Sequence, residues 1–242
     1  MTIPKSMIEY PIITKLYGGT ITVEFFEKPY HKYLVNGEKK PSVTSITGQL
    51  AKAGLVPWAA KITADFVRKQ LEAGITVTPA LLDEAKNEHN REKERGAQFG
   101  KDINAWAEQS INFTLGLCEK PQLPSDETVL NGVTAFIDWV STQQIKFVSS
   151  ERNVYSKRYD YAGKMDAEAV INGKLCVIDF KTANADKRTG LPVIYNEYRY
   201  QTAAYQCAAA EEGTQYTGNR YIIHFNKTNG NFSVHELDNL ER

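Results

Sequence analysis

Residues 161–181 read Tyr161-Ala162-Gly163-Lys164-Met165-Asp166-Ala167-Glu168-Ala169-Val170-Ile171-Asn172-Gly173-Lys174-Leu175-Cys176-Val177-Ile178-Asp179-Phe180-Lys181, two alternating runs joined by Asn-Gly. A two-residue type I′ turn needs positive φ at both central positions, which Asn and Gly tolerate best, so the stretch predicts a β-hairpin. With Asn172-Gly173 at the bend, Ile171 opposes Lys174, Val170 opposes Leu175 and Glu168 opposes Val177. Further out Asp166 opposes Asp179, and Lys164 opposes Lys181. The other face sets Ile171, Ala169, Ala167 and Met165 against Lys174, Cys176, Ile178 and Phe180. Apart from Lys174 it is apolar and suited to lie under a helix.

Two carboxylates directly across a ladder stand about 4.5–5.5 Å apart at Cβ and repel. Such a pair is tolerable with a proton or cation between its members. Together with the Phe180 carbonyl, Asp166 and Asp179 form an all-oxygen donor set suited to a hard cation, Mg²⁺ or Mn²⁺. Lys181 shares the face of Asp179, about 6–7 Å further along the strand. There an ammonium can stabilise a five-coordinate phosphate and orient a water. Asp and Lys two residues apart are most often solvated surface charges, and a slipped register would separate the carboxylates.

Working outward, Lys146 to Val154 reads as a strand before the hairpin. A helix over Tyr198 to Glu211 follows it, then strands over Asn219 to Phe225 and Phe232 to Leu237. Upstream, Ser42 can cap Val43 to Leu50, Pro57 can open Trp58 to Leu71, and Thr78-Pro79 starts a long helix toward Ile111 with weak points at Gly96 and Gly100. Ser125 with Thr128 opens an amphipathic helix through Val129, Val133, Phe136, Ile137 and Val140. The first forty residues read as strands, Thr20 to Phe26 and His31 to Val35, turning at Glu27-Lys28-Pro29-Tyr30 and again at Asn36-Gly37. The expected class is therefore mixed α/β. A β-hairpin region occupies 1–40, a helical region packing on the core 41–145 and a β-rich core 146–242, all within one integrated domain.

With 42% hydrophobic and 24% charged residues among 242, the chain can bury a core. No run approaches the ~18 apolar residues of a membrane span. Met1-Thr2-Ile3-Pro4-Lys5 lacks the head of a secretion signal, and Cys118, Cys176 and Cys207 show no CxxC spacing, so a reducing, cytoplasmic setting without structural zinc is expected. Equal numbers of basic and acidic residues, 29 of each, exclude a histone-like binder. A nucleic-acid partner would be held by a local patch, with few phosphate contacts and a modest salt dependence. No Walker loop, GxSxG or HExxH is present.

Gly163-Lys164-Met165-Asp166, Asp179-Phe180-Lys181-Thr182 and Gln201-Thr202-Ala203-Ala204-Tyr205 stand in an order and at separations that resemble the PD-(D/E)XK nuclease superfamily, in its RecB-like exonuclease branch. Upstream, Pro41-Ser42-Val43-Thr44-Ser45-Ile46, Gly54-Leu55-Val56-Pro57-Trp58-Ala59-Ala60 and Arg95-Gly96 before Trp106-Ala107-Glu108 are similar to phage-encoded members and to the mitochondrial genome maintenance exonuclease type. The resemblance covers most of residues 40–210. It implies a restriction-endonuclease-like core, a central sheet flanked by helices with a helical N-terminal elaboration. It also implies a Mg²⁺- or Mn²⁺-dependent exonuclease on linear single- or double-stranded DNA, phage-borne, acting in recombination, replication or DNA degradation beside a partner protein of that machinery.

By the same resemblance Asp166, Asp179, Lys181, Gln201 and Tyr205 carry the chemistry. Gln201 and Tyr205, at i,i+4, share a helix face turned toward Lys181 or DNA. Glu151, in Ser150-Glu151-Arg152, matches an acidic ligand or ligand-orienter of the family. Members often carry a histidine ligand shortly after Arg-Gly. Gly100 stands at that place here, with Asp102 or His89 as substitutes outside it. Three scattered cysteines cannot supply the four ligands of the iron–sulfur members, so no cluster is expected. An endonuclease of the same superfamily, a DNA-binding or assembly protein that kept the fold without turnover, and a metalloenzyme on a small phosphoester are the competing readings.

Among weaker signals, His224 and His235 could face each other across the last two strands. Lys86, Arg91, Lys93, Arg95 and Lys101 alternate with acids and read as a solvated helix face. Tyrosines 155, 159, 161, 195, 198 and 200 bracket the motifs and could stack on unpaired bases. Lys187-Arg188-Thr189-Gly190 reads as a basic loop beside a DNA cleft.

Overall fold

Asn172 and Gly173 take φ of 50° and 76°, the positive values a type I′ bend demands, and they set the register of the hairpin they close. In the computed structural model, which describes residues 10–28, 31–50, 55–186 and 192–238, β6 (Tyr161–Ile171) and β7 (Lys174–Ala183) pair from Ile171↔Lys174 through Val170↔Leu175 and Glu168↔Val177 to Ala167↔Ile178. The register is the expected one. The ladder stops one step short of Asp166 and Asp179.

These strands lie in a five-stranded sheet of order β5-β6-β7-β8-β9, with β5 (Lys146–Ser156), β8 (Arg220–Asn226) and β9 (Phe232–Leu237). All neighbours are antiparallel except β7 and β8, which run parallel. A parallel pair needs a crossover, supplied here by α5 (Asn196–Glu211). A second sheet, β1-β2-β3-β4, comprises β1 (Ile12–Leu16), β2 (Ile21–Phe26), β3 (Lys32–Val35) and β4 (Glu38–Lys40). Its inner residues Leu16, Val23, Phe25, Tyr33 and Val35 cluster with Tyr155 of β5 and Ala162 of β6. The fold is α/β.

The helices are α1 (Val43–Thr47), α2 (Leu55–Glu72), α3 (Pro79–Thr114) and α4 (Glu127–Thr142), besides α5. Ser42 and Ser45 cap α1 reciprocally, and Thr78 Oγ1 accepts from the Leu81 amide at the start of α3. Ile103, Trp106, Ala107 and Ile111 of α3 and Val129, Val133 and Phe136 of α4 cover one face of the main sheet, over Ala167, Ala169, Ile171, Cys176, Ile178 and Phe180. Val43 of α1 and Tyr205, Ala208 and Ala209 of α5 cover the other, over Val154, Met165 and Val177.

Three expectations are corrected. Helix α3 runs unbroken through Gly96 and Gly100, because both glycines serve close approach of the helix to its neighbours instead of ending it. The cap of α4 is Asp126, not Ser125: its carboxylate accepts from the Val129 amide, which a side chain one residue earlier does not do here. Met165 does not share the face of Ala167 and Ala169 but joins Val177 and Tyr205 on the α5 side. The alternation of β6 therefore switches sides around Asp166. On β5, Glu151 lies between the paired residues Ser150 and Arg152 with φ of 51°, so the backbone opposite Asp166 is irregular too. The Lys187-Arg188-Thr189-Gly190 loop and the first five residues lie outside the described residues.

Candidate active site

Where the ladder stops, the Asp166 carboxylate replaces it. Its Oδ2 accepts the Phe180 amide at 2.7 Å, filling with a side chain the place a β6 carbonyl would take in a continued hairpin. Parting the strands in this way keeps two acids near each other without a regular cross-strand pair. Across the gap Asp179 is fully buried. Its Oδ1 accepts from Gln201 Nε2 at 3.1 Å, and its Oδ2 lies 2.5 Å from the Lys181 ammonium but lacks a well-directed hydrogen bond. Gln201 Nε2 also donates to the Tyr205 hydroxyl at 3.0 Å. Five of the expected site residues, from three elements, thus form one connected cluster.

The motif glycine has a physical reason. A Cβ on Gly163 would stand 2.6 Å from Tyr205 Cε1 and 3.0 Å from Val43 Cγ2, so the Tyr205 ring lies directly on the β6 backbone. The Ala162 amide, next door, donates to the Pro41 carbonyl at 3.0 Å. Pro41-Ser42-Val43, Gly163 and Tyr205 are thereby three sides of one contact. That contact holds the Gln201 side of α5 over Asp179.

Burial raises the pKa of Asp179, and the nearby Asp166 raises it further, against the pull of Lys181. Asp166 is also raised, chiefly by burial, with Lys181 and the Phe180 N–H opposing. For Lys181, burial alone would lower the pKa, but the two aspartates outweigh it and hold the ammonium charged. Its charge also lies 5.3 Å from the centre of the Tyr198 ring, a cation–π contact.

Glu151 lies beside Asp166, within its electrostatic reach, but shares no hydrogen bond or ion pair with the cluster among the described residues. Its carboxylate pairs with Lys164, whose ammonium also lies 4.7 Å from the centre of the Phe25 ring. Burial, helped by Asp166 and Glu108, pushes the Glu151 carboxyl up to about 7. Glu108 is a residue that sequence reasoning passed over as chemistry. Its signal was its place beside Trp106 and Ala107, at the rim of the buried stripe of α3. At Gly100, where the resemblance would place a histidine, an added Cβ would lie 2.7 Å from Thr182 Oγ1, so the space beside it is filled by Thr182. Asp102 instead accepts from Gln98, on the exposed side of α3.

Among the described residues no group of three or more His, Cys, Asp or Glu side chains converges to hold a metal ion. The oxygen donors at hand are therefore two carboxylates and the Phe180 carbonyl. They suit a hard cation in kind, with Asp179 Oδ2 already ion-paired with Lys181.

His224 and His235 are diagonal neighbours, since Ile222 pairs with His235 and His224 with Ser233. His235 Nε2 bonds Ser233 Oγ at 3.1 Å, and among the described residues no carboxylate joins the two rings. Lys86, Arg91 and Arg95 pair with Asp83, Glu88 and Glu92 on the surface of α3, as a solvated face should. Tyr155 and Tyr161 are buried and donate to Asp160 and to the Ala204 carbonyl, whereas Tyr159, Tyr195 and Tyr200 are exposed.

No family model matches the chain, and no curated protein matches it. Matches to solved structures include the crystal structure of SSO0001, at 19% identity over 47% of this chain and 53% of that one, with a TM-score of 0.29. The alignment thus spans about half the length of SSO0001. A likeness this slight has no bearing on fold or activity. No helix among the described residues is long and apolar enough to cross a membrane.

Proposed function

We propose that the protein is a divalent-metal-dependent deoxyribonuclease that hydrolyses DNA phosphodiesters from an end. The observation that carries the reading is the junction at Asp179, a buried carboxylate joined to Lys181 and Gln201 and set beside Asp166 where two strands part. Two carboxylates buried side by side carry a desolvation and repulsion cost that one ammonium offsets only in part, and a bound cation would offset the rest.

Asp166, Asp179 and the Phe180 carbonyl would hold Mg²⁺ or Mn²⁺, which when bound supplies Lewis-acid polarisation of a phosphoryl oxygen. The chain's own groups do the rest. Lys181, fixed by Asp179, presents a positive charge where negative charge gathers on phosphorus, and its N–H groups orient a water for attack. Gln201 holds the Asp179 carboxylate in one orientation. Tyr205, seated on Gly163, holds Gln201. The exposed rings of Tyr195 and Tyr200, at the start of α5, are available to stack on unpaired bases.

End-labelled linear and circular DNA, single- and double-stranded, incubated with Mg²⁺, Mn²⁺ or EDTA tests this reading. Metal-dependent loss of linear but not circular DNA is expected, abolished by Lys181→Ala and Asp179→Ala. Lys181→Ala should keep metal uptake by calorimetry, and Asp179→Ala should weaken it. Cutting of circles would make the protein an endonuclease. DNA binding without cutting, indifferent to both substitutions, would make it a scaffold.

A further inference from the structure

Helix α3 crosses the active-site end of the main sheet strand by strand. Gly96 faces Lys227 just beyond β8, Gly100 faces Thr182 on β7, and Glu108 lies within electrostatic reach of Glu151 on β5. At the first crossing, a Cβ on Gly96 would stand 3.0 Å from Lys227 Nζ and 3.3 Å from its Cδ, so the lysine stem and ammonium lie flat on the helix backbone. Among the described residues no acid or hydrogen-bond acceptor pairs with that ammonium, whose charge reaches His224 only as a repulsion, and burial lowers its pKa without an acid opposing the shift. Other cations nearby are occupied: Lys181 by Asp179, and Arg95 by Glu88 and Glu92.

A half-buried ammonium without an anion has lost part of its hydration for no return, unless a ligand brings the anion. The position says which anion. His224 pairs with Lys181 and Asn226 with Ala183, so Lys227 lies one residue past the paired strands, roughly 10 Å along the chain from the level of Lys181. At ~3.4 Å of rise per nucleotide this is about three nucleotides of a strand laid over the sheet end. From this geometry we infer that Lys227, cradled on Gly96, is a subsite for a backbone phosphate of the bound nucleic acid a few nucleotides from the scissile one. The inference rests on the nuclease reading and deepens it, since the contact sets where the strand lies over the acids.

The test is binding of a fluorescent single-stranded oligonucleotide to the full chain in EDTA over a range of NaCl, for the parent, Lys227→Met and Lys227→Arg, with cleavage assayed in Mn²⁺. Losing one phosphate contact should make the slope of log affinity against log salt shallower by about 0.7 in Lys227→Met, and Lys227→Arg should restore it. Because Lys227 has no ion pair among the described residues to lose, Lys227→Met should melt no lower than the parent in the absence of DNA, which excludes misfolding as the cause. An unchanged slope, or a lowered melting temperature, in a parent background that binds and cuts DNA overturns the subsite and leaves the nuclease reading intact. A parent that neither binds nor cuts the oligonucleotide overturns both.

Discussion

The Asp166 carboxylate occupies the hydrogen-bonding place of a backbone carbonyl opposite the Phe180 amide, at 2.7 Å. Asp166 thus has two separable duties, as an acceptor and as a charge. Asp166→Asn keeps an acceptor and removes the charge, so it should fold with unchanged or higher thermal stability while turnover falls by about two orders of magnitude or more. Asp166→Leu also leaves the buried Phe180 N–H without a partner and should lose about 1–3 kcal/mol in urea unfolding. Equal stability of the two variants would show that the amide contact is dispensable.

Gly163 is a point where added volume has a defined victim. Gly163→Ala drives a methyl into the Tyr205 ring and should destabilise by about 1–3 kcal/mol. It should also lower kcat through the loosened Gln201–Asp179 contact. Combined with Tyr205→Ala, most of the added loss in stability should vanish, and a double-mutant cycle would read this as a coupling. Strict additivity would place the contact elsewhere.

A histidine introduced by Gly100→His should not build a ligand, because its Cβ would meet Thr182 Oγ1 at 2.7 Å. Expected are a fall in melting temperature and no gain in metal affinity by calorimetry. The smaller Gly100→Ala should be relieved by Thr182→Ala in the same chain. Tighter Mn²⁺ binding in Gly100→His would mean that the helix yields more readily than the packing indicates.

His224 gives a pH dependence with a definite sign. Buried, with Nε2 lacking a hydrogen-bond partner among the described residues, it has its pKa pushed down to about 4, first by burial and then by His235 and Lys227. The unfolded ring, near 6.5, binds a proton that the folded one refuses, so stability is whole above about 6.5 and drains away as pH falls toward 4. The full effect is at most about 3 kcal/mol. Denaturant melts of parent and His224→Leu between pH 7 and 4 should diverge, with the variant's curve flatter. Parallel curves would remove His224 as the cause.

The hairpin register could be read from sequence because Asn172-Gly173 admits one tight bend and every pairing counts outward from it. The switch at Asp166 could not: alternation put Met165 beside Ala167, but nothing in a two-residue period signals that a side chain will take over a ladder bond. The connection of Gln201 to Tyr205 was visible as one helical turn, whereas the reason for Gly163 appears once the Tyr205 ring is laid on β6. Gly96 and Gly100 misled in the opposite direction. Glycine weakens a helix in isolation, but α3 is held by its contacts with the sheet and uses the missing side chains to come close. Lys227 carried no sequence signal at all, since its isolation is a property of its surroundings.

The hairpin is zipped at its Asn-Gly end and held open at its acidic end, with five paired positions from Ile171 to Ala167. The tight bend and the two buried acids therefore sit at opposite tips of one short ribbon. Substitutions near residues 172–175 can tune how firmly the ribbon closes without disturbing the opening, which leaves this small motif free to adapt to heat or cold while the arrangement of its acids stays the same.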